Sequence, residues 1–179
     1  MLEAIFCDWQ RNAINGRSSG LSSRLADIGT VRFVAVVLFR VSQALGRRWG
    51  PLGSAVKQIN TVITGCDISW QADIAPGLVL YHPVGVVIGP NVWIGNDVTI
   101  QQGVTIGSRS PADVSGPVIG AGCQLGAGSR VLGDVVLGNQ CTIGANAVVL
   151  KSLPDSVSAV GIPASIVGFS MNVSEDGEC

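Results

Sequence analysis

The chain has 179 residues, the length of one domain with a short extension, and a formal net charge of −1. Only 5% of its residues are aromatic, whereas 24 are glycine, a share well above the usual one of about 7%. The core must therefore be built from small and β-branched side chains. Residues 1–63 carry eight basic and three acidic residues, whereas residues 64–179 carry three basic and nine acidic ones. This distribution excludes a strongly basic nucleic-acid-binding protein for most of the chain, so no nucleic acid partner is expected.

The cysteines and the histidine limit the chemistry further. Five cysteines without CxxC spacing argue against a disulfide framework, because one of them has no partner: Cys7, Cys66, Cys123, Cys141 and Cys179. A single histidine excludes a zinc site with several histidine ligands, and no metal is expected. The first ten residues lack a basic segment followed by an apolar run, so no secretory signal is expected. These observations predict a reduced, cytoplasmic compartment.

Residues 1–63 predict a basic, helical segment. Residues 1–15 predict a first helix, followed by a polar linker that includes residues 16–23. Residues 31–45 predict a second helix, which is too short and too often interrupted by arginine to span a bilayer. A Gly-Pro pair separates it from a third predicted helix over residues 52–63.

The second predicted helix has a polar face on an otherwise apolar surface. On a helical wheel, Arg32, Arg40, Gln43 and Arg47 fall within about 80° of one another. Such a helix suits an apolar groove on the same protein, the headgroup level of an anionic membrane, or a neighbouring subunit. The sequence leaves this choice open, so a peripheral membrane contact through residues 31–63 is one expectation.

An aliphatic residue recurs every six positions through most of the remaining chain. The period is Ile68, Ile74 and Leu80, then Ile88, Ile94, Ile100 and Ile106, then Ile119, Leu125, Val131, Leu137, Ile143 and Val149. Glycine commonly follows each of them. This hexapeptide pattern predicts a mainly β fold, a left-handed parallel β-helix over residues 64–168, in which three hexads close a triangular coil. Cys123 and Cys141, 18 positions apart, are expected to stack in neighbouring coils as small apolar fillers. Residues 169–179 predict a polar, disordered tail.

The period has two breaks. Two extra residues lie around Tyr81-His82-Pro83, and about seven more lie in residues 108–117, which are predicted to leave the coil as a loop. Loops on a rigid solenoid commonly carry function, although a tolerated insertion is the alternative here.

His82, at the first break, is a candidate general base. A lone histidine is more often structural, but Asp67 precedes it by 15 residues, nearly one 18-residue coil. That spacing permits the two side chains to lie in adjacent coils near one corner. A carboxylate bonded to one imidazole nitrogen fixes the tautomer and leaves the other nitrogen to accept a proton.

Residues 67–168 resemble the catalytic half of serine O-acetyltransferases and their hexapeptide-acyltransferase relatives. The matching stretches are LYHPVGVVIG (80–89), NDVTIQQGVTIG (96–107), PVIGAGCQLGAGSRVLGD (117–134) and IGANAVVLKSLPDSVSAVGIPASIVG (143–168). The resemblance implies acetyl-CoA as the donor, a homotrimer, and active sites between adjacent prisms. Matched residue by residue, it puts His82 on the family's catalytic base and Asp67 on its orienting carboxylate.

The chain departs from this family where the family holds its amino acid. Gly116 stands where a second active-site histidine is expected before Pro117, Ser115 replaces an arginine, and Tyr81 replaces an aspartate. A site without those charges suits a neutral hydroxyl, such as that of a sugar, better than zwitterionic serine. The positions predicted to contact the acceptor are Tyr81, Gln102 and Gly116.

The chain is also similar to the serine-acetyltransferase-like proteins of exopolysaccharide and capsule synthesis, including their Asp8-Trp9…Asn12 opening. The resemblance therefore predicts acetyl transfer from acetyl-CoA to a saccharide or a lipid-linked glycan, in the cytoplasm or at the inner face of its membrane. Serine O-acetylation is one alternative. A non-catalytic β-helix scaffold at the membrane is another.

Five residues are predicted to meet acetyl-CoA. Backbone N–H groups at Gly107 and Ser108 are candidates for binding the oxyanion. The pantetheine arm is expected to pass Ala127 and Ala145, and Lys151 is expected to meet a phosphate. The alternative roles are small corner residues for the two alanines and a solvated charge for the lysine.

Overall fold

The computed structural model describes residues 1–14, 30–110 and 112–170. Within these ranges three helices precede the β-structure: α1 (Leu2–Ile14), α2 (Val31–Arg48) and α3 (Gly50–Thr64). Each lies where the sequence predicts a helix, and α3 begins slightly earlier because a proline is tolerated in a first turn. The predicted linker and residues 171–179 of the predicted tail lie outside the described residues.

The strands of the described residues are short and follow the six-residue period. They are β1 (Asp67–Ile68), β2 (Asp73–Ile74), β3 (Val79–Leu80), β4 (Val87–Ile88), β5 (Trp93–Ile94), β6 (Thr99–Ile100), β7 (Thr105–Gly107), β8 (Val118–Ile119), β9 (Gln124–Leu125), β10 (Arg130–Leu132), β11 (Val136–Leu137), β12 (Thr142–Ile143), β13 (Val148–Val149), β14 (Val157–Val160) and β15 (Ser165–Phe169).

Three sheets form the walls of a prism. Wall A has the order β1-β4-β7-β10-β13, wall B β11-β8-β5-β2, and wall C β15-β14-β12-β9-β6-β3. Neighbouring strands pair in parallel, except that β14 and β15 pair antiparallel at the end of wall C. The predicted left-handed β-helix is confirmed, and both breaks in the period fall between strands.

The prism interior is built from the periodic aliphatic residues, which are all buried. Cys123 and Cys141 are fully buried among them, as predicted, and each thiol donates to a backbone carbonyl 3.1 Å away. Burial raises the pKa of the Cys123 thiol to about 12, so it is a neutral filler. The low aromatic content of the chain follows from this narrow interior.

Helix α2 packs on its own chain. Its apolar residues Phe33, Ala35, Val36 and Phe39 are buried, and the last three belong to the same core as the first coil of the prism. Of the three environments left open by the sequence, a groove on the same protein therefore covers this face.

The polar face of α2 caps the first coil. That coil has no coil below it, so its outward backbone groups need other partners. Arg40 donates from Nη2 to the carbonyl of Ala75 at 2.8 Å and from Nη1 to that of Ile74, while Gln43 Nε2 donates to the carbonyl of Ala72 at 2.8 Å. Arg40 is only 3% exposed, so the expectation that this polar face meets lipid headgroups is wrong for Arg40.

Helix α1 completes this cap through Asp8, which is fully buried. Its Oδ2 lies 2.8 Å from Arg40 Nε, and its Oδ1 accepts hydrogen bonds from the backbone N–H groups of Gly77 at 2.8 Å and Leu78 at 2.9 Å. Asn12 Nδ2 donates to the Leu78 carbonyl at 3.1 Å. The Asp8…Asn12 opening therefore has a structural role in closing the prism.

Candidate active site

The turns between the walls form the edges of the prism, and two of these edges contain the predicted site residues. The first, here the His82 edge, joins wall C to wall A through residues 81–86, 101–104, 126–129 and 144–147. The second, here the loop edge, joins wall A to wall B through residues 69–72, 89–92, 108–110 with 112–117, 133–135 and 150–152.

The predicted residues divide between these two edges. The His82 edge holds Tyr81, His82, Gln102, Ala127 and Ala145, and the loop edge holds Ser108, Gly116 and Lys151, with Gly107 at the end of β7 beside them. Wall A lies between the two groups. One chain therefore does not bring the candidate base together with the candidate oxyanion donors.

Asp67 lies beside the turn that contains His82. The backbone N–H of Asp67 donates to the carbonyl of Val86 at 2.8 Å, and the N–H of Gly85 donates to the carbonyl of Gly65 at 2.8 Å. No hydrogen bond or ion pair of the described residues joins Asp67 to His82. The proposed dyad therefore stays a prediction.

Lys57 is a partner of Asp67 that the sequence analysis missed. Its Nζ lies 2.6 Å from Asp67 Oδ1, and both side chains are about one-third exposed. Lys57 lies about two turns before the end of α3, and its distance in sequence from Asp67 gave no signal of contact. The charge of the carboxylate is therefore partly balanced before any imidazolium forms.

A groove of about 340 Å³ lies on wall C next to the His82 edge. It is lined by Tyr81, Thr99, Gln101, Gln124, Leu125, Gly126, Thr142, Ile143, Gly144 and Ala145. None of these side chains carries a formal charge. The groove includes Tyr81 and Ala145 of the predicted residues, and a neutral lining of this kind suits an amide-bearing chain such as pantetheine.

Gln101 is a second residue that the sequence analysis missed. Its Oε1 accepts a hydrogen bond from the backbone N–H of Ala127 at 3.0 Å, at a residue that the pantetheine arm is expected to pass. The neighbouring Gln102 is exposed, and its backbone carbonyl accepts a hydrogen bond from Gly128 at 2.8 Å. Gln101 therefore holds the corner at Ala127 and lines the groove as well.

The loop of residues 108–117 is tied to the prism by Arg109. Its guanidinium donates to the backbone carbonyls of Leu132, at 3.3 Å, and of Leu150. Asp113 Oδ2 accepts hydrogen bonds from the backbone N–H groups of Arg109 and Ser110, at 3.1 and 3.0 Å. Arg109 escaped the sequence analysis because a loop arginine carries no periodic signal.

Gly116 lies against the backbone of the preceding coil. A Cβ at this position would collide with the carbonyl of Asn91, whose side-chain Nδ2 donates to the carbonyl of Val114 at 3.1 Å. The backbone of the preceding coil therefore occupies the space that a side chain at residue 116 would need. A histidine here would require the loop to follow a different path.

No group of three or more His, Cys, Asp or Glu side chains in the described ranges is arranged to hold a metal ion. No helix in the same part of the chain has both the length and the apolarity needed to cross a bilayer.

Sequence comparison gives the family. Residues 116–151 match the bacterial transferase hexapeptide model (six repeats), and residues 85–110 match the hexapeptide repeat of succinyl-transferase. The chain is 41% identical over 135 residues to a serine acetyltransferase of Helicobacter pylori, covering 74% of this chain and 79% of that protein. It is 40% identical over 120 residues to a serine acetyltransferase of Mycobacterium tuberculosis, covering 66% of this chain and about half of that longer protein (52%).

Solved structures similar to this chain are serine acetyltransferases as well. Serine acetyltransferase from Brucella abortus in complex with coenzyme A superposes with a TM-score of 0.87 at 28% identity, covering 96% of this chain and 69% of that one. Soybean serine acetyltransferase complexed with serine superposes with a TM-score of 0.84 at 32% identity, covering 92% of this chain and 68% of that one. These relatives are named serine acetyltransferase rather than exopolysaccharide or capsule acetyltransferase, so they support the broader family and not the narrower placement. The chain therefore belongs to the serine acetyltransferase family of hexapeptide-repeat proteins, which are acetyl-CoA-dependent acyltransferases.

Proposed function

We propose that the protein is a serine O-acetyltransferase that uses His82 as its general base. The similarity to the Helicobacter pylori enzyme over most of both chains supports serine as the acceptor. The exposed His82, at the head of a neutral groove that begins at Tyr81, supports the chemistry. The saccharide acceptor favoured by the sequence analysis becomes the second candidate.

The proposed reaction needs one proton acceptor and no covalent enzyme intermediate. An imidazole nitrogen of His82 takes the proton of the serine hydroxyl while the hydroxyl oxygen attacks the thioester carbonyl carbon. The carbon–sulfur bond then breaks, and the thiolate of coenzyme A takes the proton back from the imidazolium. Asp67 stabilises that imidazolium, and backbone N–H groups at Gly107 and Ser108 bind the oxyanion.

This arrangement requires more than one chain. The base and the oxyanion donors lie on opposite edges of wall A, so both groups meet only where the His82 edge of one copy faces the loop edge of the next. We therefore place the active site between adjacent copies of a homotrimer, with the pantetheine arm along the groove past Ala145 and Ala127. Lys151, exposed on the loop edge, is the proposed phosphate contact.

A specific observation favours the second candidate, a saccharide or lipid-linked glycan. Tyr81, Ser115 and Gly116 replace the charged groups that the family resemblance assigns to serine recognition. The close packing of Gly116 on the backbone of Asn91, which leaves no room for a side chain, supports this reading of the third replacement. A neutral hydroxyl acceptor has no need of those charges.

With either acceptor, the supply of acetyl-CoA and the reduced cysteine thiols of the chain suit a cytoplasmic location.

Release of free coenzyme A thiol separates the candidates. The purified protein is given acetyl-CoA with serine, or with a panel of uncharged sugars, and a His82→Ala variant serves as the catalytic control. We expect serine-dependent thiol release that falls by about 10²–10⁴-fold in the variant. Release with sugars alone would replace serine by the second candidate, and undiminished release by the variant would remove His82 as the base.

A further inference from the structure

The side-chain amide of Gln101 is held in one orientation on the groove of wall C. Gln101 directly follows β6, and its Oε1 accepts the hydrogen bond from the backbone N–H of Ala127 at 3.0 Å. Only the oxygen of a carboxamide accepts a hydrogen bond, so this contact also fixes where the nitrogen lies. Nε2 of Gln101 has no hydrogen-bond partner among the described residues. It is therefore a donor available to a ligand in the groove.

The column of residues above Gln101 has no side chain. The parallel register stacks Tyr81, Gln101, Gly126 and Gly144, each directly after a strand of wall C. A Cβ at Gly126 would lie 2.7 Å from the backbone nitrogen of Ala145, so the packing of the coils requires glycine there. The amide of Gln101 thus stands next to the part of the groove that is lined by backbone.

The other polar groups at this end of the groove are not held in the same way. The backbone N–H of Ala145, one coil beyond Ala127, has no hydrogen-bond partner in the part of the chain that the structure describes. Gln124 also lines the groove, but its side chain makes no hydrogen bond to any described residue. A free glutamine side chain loses conformational freedom when it binds a ligand, whereas the amide of Gln101 is already positioned.

We propose that Gln101 recognises the pantetheine arm of acetyl-CoA by donating a hydrogen bond from Nε2 to one of its amide carbonyls. The N–H of Ala127 then acts through Gln101, since it holds the amide that meets the ligand. The ligand class is a chain of secondary amides, which accepts hydrogen bonds and has no charge of its own. This inference rests on the proposed function in placing the pantetheine arm along this groove, and it does not depend on the acceptor.

Three variants distinguish a donor to the ligand from a support for Ala127. Gln101→Glu keeps an oxygen for the N–H of Ala127 but removes the donor. Gln101→Met removes both groups and keeps a side chain of similar length. Gln124→Glu is the matched control, because it adds the same charge to the same groove and leaves the anchored amide in place. Titration calorimetry with coenzyme A gives the dissociation constant of each variant. Concentrated salt in the buffer screens the new charge from the phosphates.

We expect Gln101→Glu to bind coenzyme A at least about tenfold more weakly than the original chain, because two acceptor oxygens then face each other. Gln101→Met should lose only about threefold, since it lacks the donor but frees the N–H of Ala127 for the ligand. Gln124→Glu should lose less than about threefold in screening salt. In acetyl transfer, the loss in Gln101→Glu should appear in KM for acetyl-CoA, with kcat within about twofold of the original.

Four outcomes would overturn the proposal. The first is an original chain that binds no coenzyme A. The second is Gln101→Glu binding as well as the original chain while Gln101→Met binds more weakly, which would leave Gln101 as a support for Ala127. The third is tighter binding by Gln101→Met, which would show that the side chain blocks the groove. The fourth is an equal loss in Gln101→Glu and Gln124→Glu, which would assign the effect to charge.

Failure of the proposed function would be seen separately from failure of this inference. Calorimetry needs no acceptor and no turnover, so the order of affinities among the variants can hold even if serine releases no thiol from acetyl-CoA. Conversely, serine-dependent thiol release that is lost in His82→Ala, with a KM for acetyl-CoA unchanged in Gln101→Glu, would keep the proposed function and remove the role of Gln101.

Discussion

Lys57 Nζ lies 2.6 Å from Asp67 Oδ1, so the carboxylate proposed to orient His82 is itself held by a cation from α3. Oδ1 alone is engaged in the described contacts of this carboxylate, which leaves Oδ2 for the imidazole. Because both side chains are about one-third exposed, the pair contributes less than about 1 kcal/mol to stability. We therefore propose that the pair positions the carboxylate.

Replacement of Lys57 by methionine should slow acetyl transfer without unfolding the protein. We expect kcat to fall by at most about fivefold, the rate equivalent of about 1 kcal/mol, with KM for acetyl-CoA unchanged. Lys57→Arg should restore most of the rate, because it keeps the cation. In Asp67→Asn the same Lys57 replacement should have no further effect. Additive losses in the double variant would show that Lys57 acts on something other than Asp67.

The buried pair of Asp8 and Arg40 should be essential to the folded state. Asp8→Ala leaves the guanidinium without its carboxylate and two backbone N–H groups, those of Gly77 and Leu78, without acceptors. Breaking such a pair costs about 3–5 kcal/mol, measured as the change in free energy of urea unfolding. The comparison variant is Arg47→Ala, whose exposed pair with Asp73 should matter by less than about 1 kcal/mol. Similar losses for both would contradict a structural role for the cap.

The six-residue period predicts the walls, both breaks and the stacking of Cys123 on Cys141, because each hexad is a local unit whose partner lies one coil away. The environment of Arg40 could not be predicted in this way. A helical wheel gives the relative positions of side chains around a helix, but it does not say which face meets the prism. The separation of His82 from Ser108 was missed although the period contains it, because the turn after β7 comes one coil and one further wall after the turn that contains His82.

Gly116 should tolerate no side chain. We expect Gly116→Ala to weaken acetyl transfer and to lower the free energy of unfolding by about 1–3 kcal/mol, because the added methyl group meets the carbonyl of Asn91. Gly168→Ala is the matched control, because a Cβ there has no atom within 4 Å. Thermal unfolding of the two variants gives the comparison. A Gly116→Ala variant as stable as Gly168→Ala would show that the loop can move, and would reopen this position to a histidine.

The buried thiols should make the protein less stable at alkaline pH. Burial, with a smaller contribution from the Asp67 carboxylate, raises the pKa of Cys66 from 9.0 to about 12, and burial raises that of Cys123 equally far. The folded state therefore keeps these thiols neutral while the unfolded chain ionises them above pH 9. Each contribution to stability is complete below about pH 9 and is lost between pH 9 and 12, at about 1.4 kcal/mol per pH unit. Urea unfolding at a series of pH values should show a shallower decline for Cys123→Ala than for the original chain. Val149→Ala, a core truncation that keeps both thiols, should retain the full slope, and equal slopes in all three proteins would contradict the assignment.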